Sequence, residues 1–171
     1  MTRPSPSDAP PPSFDKAALK TELARILAGD LAARERSHRA AMEAATHEEA
    51  RPENDKDTRA LELSYLARGE AQRIEELRAA LADVQALPVR ALTEEDPVGV
   101  GALVETEDGA GARGWVWVTP HGGGTCLGDG KVQAVTTRSP LGRALIGKRR
   151  GEECEMLLAG KTRTLTIVSV A

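Results

Sequence analysis

Aromatic side chains are nearly absent: the 171 residues include two Trp, one Tyr and one Phe. A single large globular core normally draws on much more ring area, so this chain is expected to divide into a small domain and an extended element. Cysteine is scarce too. Cys126 and Cys154 lack the spacing of a metal site or a redox motif, which leaves two reduced, partly buried thiols. No apolar run reaches the length of a membrane span. Residues 1–13 lack the apolar stretch of a signal peptide. A soluble, cytoplasmic protein is therefore expected. Positive charge is not in excess either: the formal net charge is -3, so bulk electrostatics gives no strong grip on nucleic acid and any such contact must be local.

What is present falls into segments. Residues 1–13 are dominated by proline and serine, a composition that forms no core and reads as a disordered tail. From Phe14 to Thr46 the chain is rich in Ala, Leu, Glu, Arg and Lys, with Leu19, Leu23, Ile26, Leu27 and Leu31 in a helical stripe that thins to Ala33, Ala40, Ala41, Ala44 and Ala45. A second pattern from Thr58 to Leu87 places Leu63, Leu66, Ile74, Leu77, Leu81, Val84 and Leu87 at the threes and fours of a coiled-coil seam. Neither stripe can be buried alone, so residues 14–87 are expected to form an antiparallel helical hairpin. Helices of about 30 residues make a rod roughly 45 Å long, with its turn at the far end.

Pro88 ends the second helix, and residues 88–97 read as a linker. Beyond it the period changes to two. Strands are expected at Val98–Val104, Trp115–Val118, Val132–Thr137, Glu155–Leu158 and Thr164–Val170, with a glycine loop over 119–124. Leu141–Ile146 reads as a short helix with Ser139 as N-cap and Pro140 in its first turn. The fold class is α+β: a helical hairpin, then an antiparallel β domain over 98–171 carrying one short helix.

Between the helices lies an acidic turn, residues 47–57, with five carboxylates against two cations. Pro52 drives Arg51 out of helical geometry. Helix capping and solvation account for such charges. Acidic groups at the end of a rod can also be carried into a confined site. Mg²⁺ is commonly held by one or two carboxylates, with water or substrate oxygens completing its shell, so two such groups can complete the shell of a metal in another molecule's active site.

The segment Ser139-Pro140-Leu141-Gly142-Arg143-Ala144-Leu145-Ile146-Gly147-Lys148-Arg149-Arg150-Gly151-Glu152-Glu153 resembles the "SPLxxALLGKxxGDE" segment of the bacterial GreA/GreB transcript cleavage factors. Arg73-Ile74-Glu75-Glu76-Leu77 resembles the "GRIxELE" segment of that family's second helix. The resemblance implies a transcription elongation factor with an FKBP-like C-terminal domain. Such a factor binds RNA polymerase at the rim of its secondary channel and inserts the hairpin toward the 3′ end of the nascent RNA. It is not an enzyme; it stimulates the polymerase's own cleavage of backtracked transcripts. Docking then falls to Ser139, Pro140 and Leu141, and nucleic-acid-facing roles to Arg34, Arg36 and Arg39. The family's tip motif "DLxENAEY" carries two critical carboxylates that share Mg²⁺ with the polymerase. Glu53-Asn54 matches its Glu-Asn pair, but Ala50 stands where the family has Asp. Counting back from Arg73 instead puts Glu53 at the Asp position and Lys56 at the Glu position, with Asp57 beside it. Glu53 survives both registers, and its partner is Glu49, Asp55 or Asp57, with Asp57 the metal-holding choice beside it.

Alternatives stay open. A secondary-channel regulator without cleavage activity, acting on initiation or pausing, fits Ala50. The FKBP-like expectation raises prolyl isomerase activity, but Trp115 and Trp117 share one strand face and indicate no enclosed pocket. Lys148-Arg149-Arg150, with Arg143, reads as a solvated turn or a contact to an acidic or nucleic-acid surface. His38, His47 and His121 have no metal or triad spacing. Monomeric, non-membrane behaviour and DNA-binding complete the expectations that the resemblance carries.

Overall fold

The computed structural model describes residues 14–46, 58–158 and 160–171. Two long helices, α1 (Lys16–Thr46) and α2 (Thr58–Ala86), precede β1 (Leu103–Asp108), β2 (Arg113–Thr119), β3 (Cys126–Leu127), β4 (Val132–Thr136), α3 (Pro140–Leu145), β5 (Glu153–Leu158) and β6 (Lys161–Val170). Asp15 starts α1: its Oδ1 accepts from Ala17 N at 2.8 Å, satisfying one of the free donors of the first turn. At the end of α2, Lys20 Nζ donates to Leu87 O at 2.8 Å, satisfying a late carbonyl, and Pro88 follows.

The sheet has the order β3-β4-β2-β1-β6-β5. Its pairings are antiparallel except β2 with β4, which run parallel with Trp117 opposite Ala134. The expectation of an antiparallel sheet is corrected here: the sheet is mixed. A parallel pair needs a crossover of a dozen or so residues, and residues 120–131, which include most of the expected glycine loop, supply it and carry β3.

The strand expected from Val98 begins instead at Leu103. Gly101 has φ +94, and Ala102 N donates back to Gly99 O, so residues 99–102 form a turn. Val98 and Ala102 are buried there, whereas Val100 is exposed; the apparent alternation belongs to a turn.

Both faces of the sheet are covered. Leu103 and Trp117 face the hairpin and pack with Leu127, Val132 and Ala134 against Leu19, Leu23, Leu27, Val84 and Leu87. Their strand neighbours Val104, Val116 and Val118 face the other way and pack with Val135, Ile167 and Leu145 of α3, as a period of two requires. The hairpin is therefore rooted in the sheet by the first three turns of α1 and the end of α2. Beyond Leu27 the helices rely on each other. There Leu66, expected in the seam, is 70% exposed, with Tyr65 beside it. A two-helix rod has no third surface to cover a broad apolar stripe, and the alanines opposite bury little area.

Candidate functional site

Glu49, Glu53, Asp55 and Asp57, and with them the Glu53–Asp57 Mg²⁺ pair and His47, fall outside the described residues. Among the described residues no group of three or more His, Cys, Asp or Glu side chains could hold a metal ion.

Two cations of the helical arm are held in ion pairs. Arg34 pairs with Glu70 at 3.2 Å, and Arg78 bridges Glu35 and Glu75, an arrangement that raises its already high pKa, led by the Glu35 hydrogen bond. Arg36 and Arg39 are exposed. Of the three arginines expected to face nucleic acid, these two present their charge to solvent, while Arg34 ties the helices together. His38 lines a shallow groove with Arg39, Met42 and Ile74.

The Ser-Pro-Leu segment is built as its sequence indicates. Ser139 sits at φ -70, ψ 155, and its side chain caps α3. Its Oγ accepts from Gly142 N at 3.0 Å and donates to Thr136 O at 2.8 Å. Pro140 is exposed at the start of the helix, and Leu141 is half-buried against the α3-side core. Replacing Ser139 by Ala removes both bonds and is expected to cost about 1 kcal/mol, read as a lowered urea midpoint with unchanged slope.

Pro140, Arg143 and Ala144 line one side of a groove whose other side is Glu155, Met156 and Leu157 of the edge strand β5. Leu157 is 67% exposed. This apolar neighbour of Pro140 was not legible in the sequence, because a strand leucine reads as core until its face is known. The cluster after α3 is engaged within the chain: Arg150 pairs with Glu94, and Arg149 donates to Glu95 O. Of the two readings left open for these cations, the structure ties both arginines to the linker. Asp96 accepts from Thr93 N and Oγ, which holds its carboxyl below the usual range.

Trp117 is fully buried, and its Nε1 donates to Gly101 O at 3.3 Å. Trp115 is half-buried, edge-on to Phe14 with ring centroids 5.5 Å apart. The tryptophan pair thus seats the hairpin and lines no proline pocket. Cys154 is buried, which pushes its thiol pKa up, whereas Cys126 is exposed rather than partly buried.

The root carries contacts that no spacing announced. A Cβ on Gly122 would lie 2.6 Å from Leu23 Cδ1, and one on Gly128 would lie 3.4 Å from Leu19 Cδ2 and 3.5 Å from Phe14 Cδ1. Beside these, His121 Nε2 lies 2.8 Å from Asp83 Oδ2, and Gly128 N donates to Glu22 Oε2 at 2.9 Å.

A two-helix arm seated on a mixed-sheet domain, with an exposed proline at a capped short helix, defines an arm-and-platform protein. Residues 125–171 match the family model described as "Transcription elongation factor, GreA/GreB, C-term". Over 98 residues the chain is 37% identical to "Transcription elongation factor GreA" of Methylococcus capsulatus, covering 57% of this chain and 60% of that relative. The chain is thus similar to GreA/GreB factors, and its alignment spans about 60% of the length of that curated relative. Among solved structures, GreA factor homolog 1 (Gfh1) of Thermus thermophilus is 23% identical, covering 86% of this chain and 94% of that one with a TM-score of 0.39. A GreA/GreB factor from Nitrosomonas europaea is 20% identical, covering 57% of this chain and 78% of that one with a TM-score of 0.35.

Proposed function

We propose that this protein is a transcription elongation factor that binds RNA polymerase at the secondary channel and stimulates cleavage of backtracked RNA. The observation that carries the reading is the way the arm is built. Its root shares a core with the sheet domain, while the stretch of α1 from Leu27 to Thr46 extends roughly 28 Å at 1.5 Å per residue. Such an arm reaches a site that the domain cannot enter. Pro140 and Leu141, with the groove toward Leu157, give the domain a surface for the channel rim.

The protein itself is not the enzyme in this reading. Carboxylates are hard oxygen donors suited to Mg²⁺, and Glu53 with Asp57, or with Glu49 or Asp55, would hold an ion shared with the polymerase. When bound, that ion activates water for phosphodiester hydrolysis. Arg36 and Arg39 face the 3′ portion of the RNA. The protein acts as a cytoplasmic monomer; among the described residues no helix is long and apolar enough to cross a membrane.

Glu53→Ala is expected to lower transcript cleavage in halted complexes by at least about 10–100-fold, the range seen when groups supporting a metal are removed, with polymerase binding retained. Unchanged cleavage by this variant excludes the metal-holding role. Ala50, in place of the family's Asp, favours a second reading: a channel-binding regulator of initiation or pausing. That reading requires the unaltered protein to bind polymerase and leave halted complexes uncut.

A further inference from the structure

We infer that the crossover segment 120–131 is a socket that sets the direction of the arm, and that His121, Asp83 and Glu22 are positioning residues for the tip. Two glycines let α1 settle onto this segment. Leu23, which is fully buried, lies over Gly122, and Leu19 and Phe14 lie over Gly128. Apolar contact of this kind holds the helix down but resists rotation weakly, because it is non-directional. Two directional contacts flank it. Asp83 of α2 reaches His121 at 2.8 Å, and Glu22 of α1 reaches Gly128 N at 2.9 Å. One contact anchors each helix of the hairpin, and both end on the same segment of the sheet domain, so together they oppose swivelling of the rod about its apolar seat.

Small errors at the root grow along the arm. A tilt of about 10° displaces the end of a rod that continues roughly 28 Å beyond the seat by about 5 Å. Misplacement of about 1 Å can cost 10²-fold in a positioned reaction. The functional consequence rests on the elongation-factor reading; the geometry does not.

The test uses the full chain carrying spin labels on the exposed Cys126 and on Met42→Cys, with the buried Cys154 left in place. In Asp83→Ala/Glu22→Ala the label–label distance distribution is expected to broaden at least about twofold. Asp83→Asn, which keeps a hydrogen-bonding partner for His121, is expected to stay narrow. On polymerase, the double variant is expected to lose about 10-fold or more in cleavage stimulation at saturation, with an unchanged half-saturating concentration. A third variant, Gly122→Ala, is expected to shift the mean distance. An unchanged distribution in the double variant overturns the socket, whatever the polymerase assay gives. A broadened distribution with undiminished cleavage overturns the positioning role. Unaltered protein that neither binds nor stimulates polymerase sinks the elongation-factor reading and leaves the distances to judge the socket.

Discussion

Gly142→Ala should cost this protein about 3 kcal/mol, at or beyond the upper end of the usual range for overpacking. The added Cβ would stand 2.0 Å from Thr136 O, 2.8 Å from Thr136 C and 3.0 Å from Ser139 Oγ. Two of those atoms are backbone, so no side chain can swing aside to relieve the contact. The carbonyl is also pinned: Thr136 O accepts from Ser139 N at 3.0 Å and from Ser139 Oγ at 2.8 Å. Relief requires moving α3 off the end of β4, which opens the cap and withdraws Leu145, a fully buried residue, from the core. For a chain of this size a loss of about 3 kcal/mol corresponds to a fall of roughly 6–12 °C in melting temperature. A fall smaller than about 2 °C would show that the β4–α3 connection yields easily. The glycine of the Ser-Pro-Leu-Gly run thus has a packing reason for its identity.

Trp117→Ala should destabilise by about 3–5 kcal/mol, the range for truncating a buried aromatic side chain. Trp117 is 1% exposed and lies in the core where the sheet meets Leu19, Leu23 and Leu27 of α1 and Val84 and Leu87 of α2. Its removal leaves a cavity beneath both helices and leaves Gly101 O without its indole donor. The surroundings cannot collapse easily, because the strand is held on one side by β1 and on the other by β4. Trp115→Ala is the internal control. It is half-buried at the edge of the same face and should cost clearly less. Urea unfolding of the two variants orders them directly. Equal losses would mean that the seat of the hairpin is not centred on Trp117.

The helices were legible because long amphipathic segments carry their own period. Both run to within a few residues of the expected bounds, with Pro88 as the stop. The short helix was legible from Ser139 and Pro140, since capping chemistry is local. What failed was non-local. The parallel pairing of β2 with β4 depends on how the chain crosses the sheet, and a strand of two residues, Cys126–Leu127, leaves no periodic signal. Val98 to Ala102 mimicked a strand because valines recur at alternate positions, while the left-handed conformation at Gly101 was invisible. At the candidate site, the cap and the exposed proline followed from sequence. His121 did not: its partner Asp83 lies 38 positions away, and nothing in a glycine-rich loop says which glycine will meet Leu23.

The placement of β6 has a consequence for how the molecule is made. It lies between β1 and β5, and Leu103 and Ala171 exchange backbone bonds of 2.9 Å in both directions. The two long helices are adjacent in sequence and can zip together early in synthesis through contacts close along the chain. β1 and β2 can pair next, but β1 then presents an open edge of the kind that invites pairing with other chains. That edge is closed only when residues 161–171 have left the ribosome and returned to it. A nascent chain halted within β5 would therefore carry a formed arm on an unfinished platform, vulnerable to mispairing until the last strand arrives.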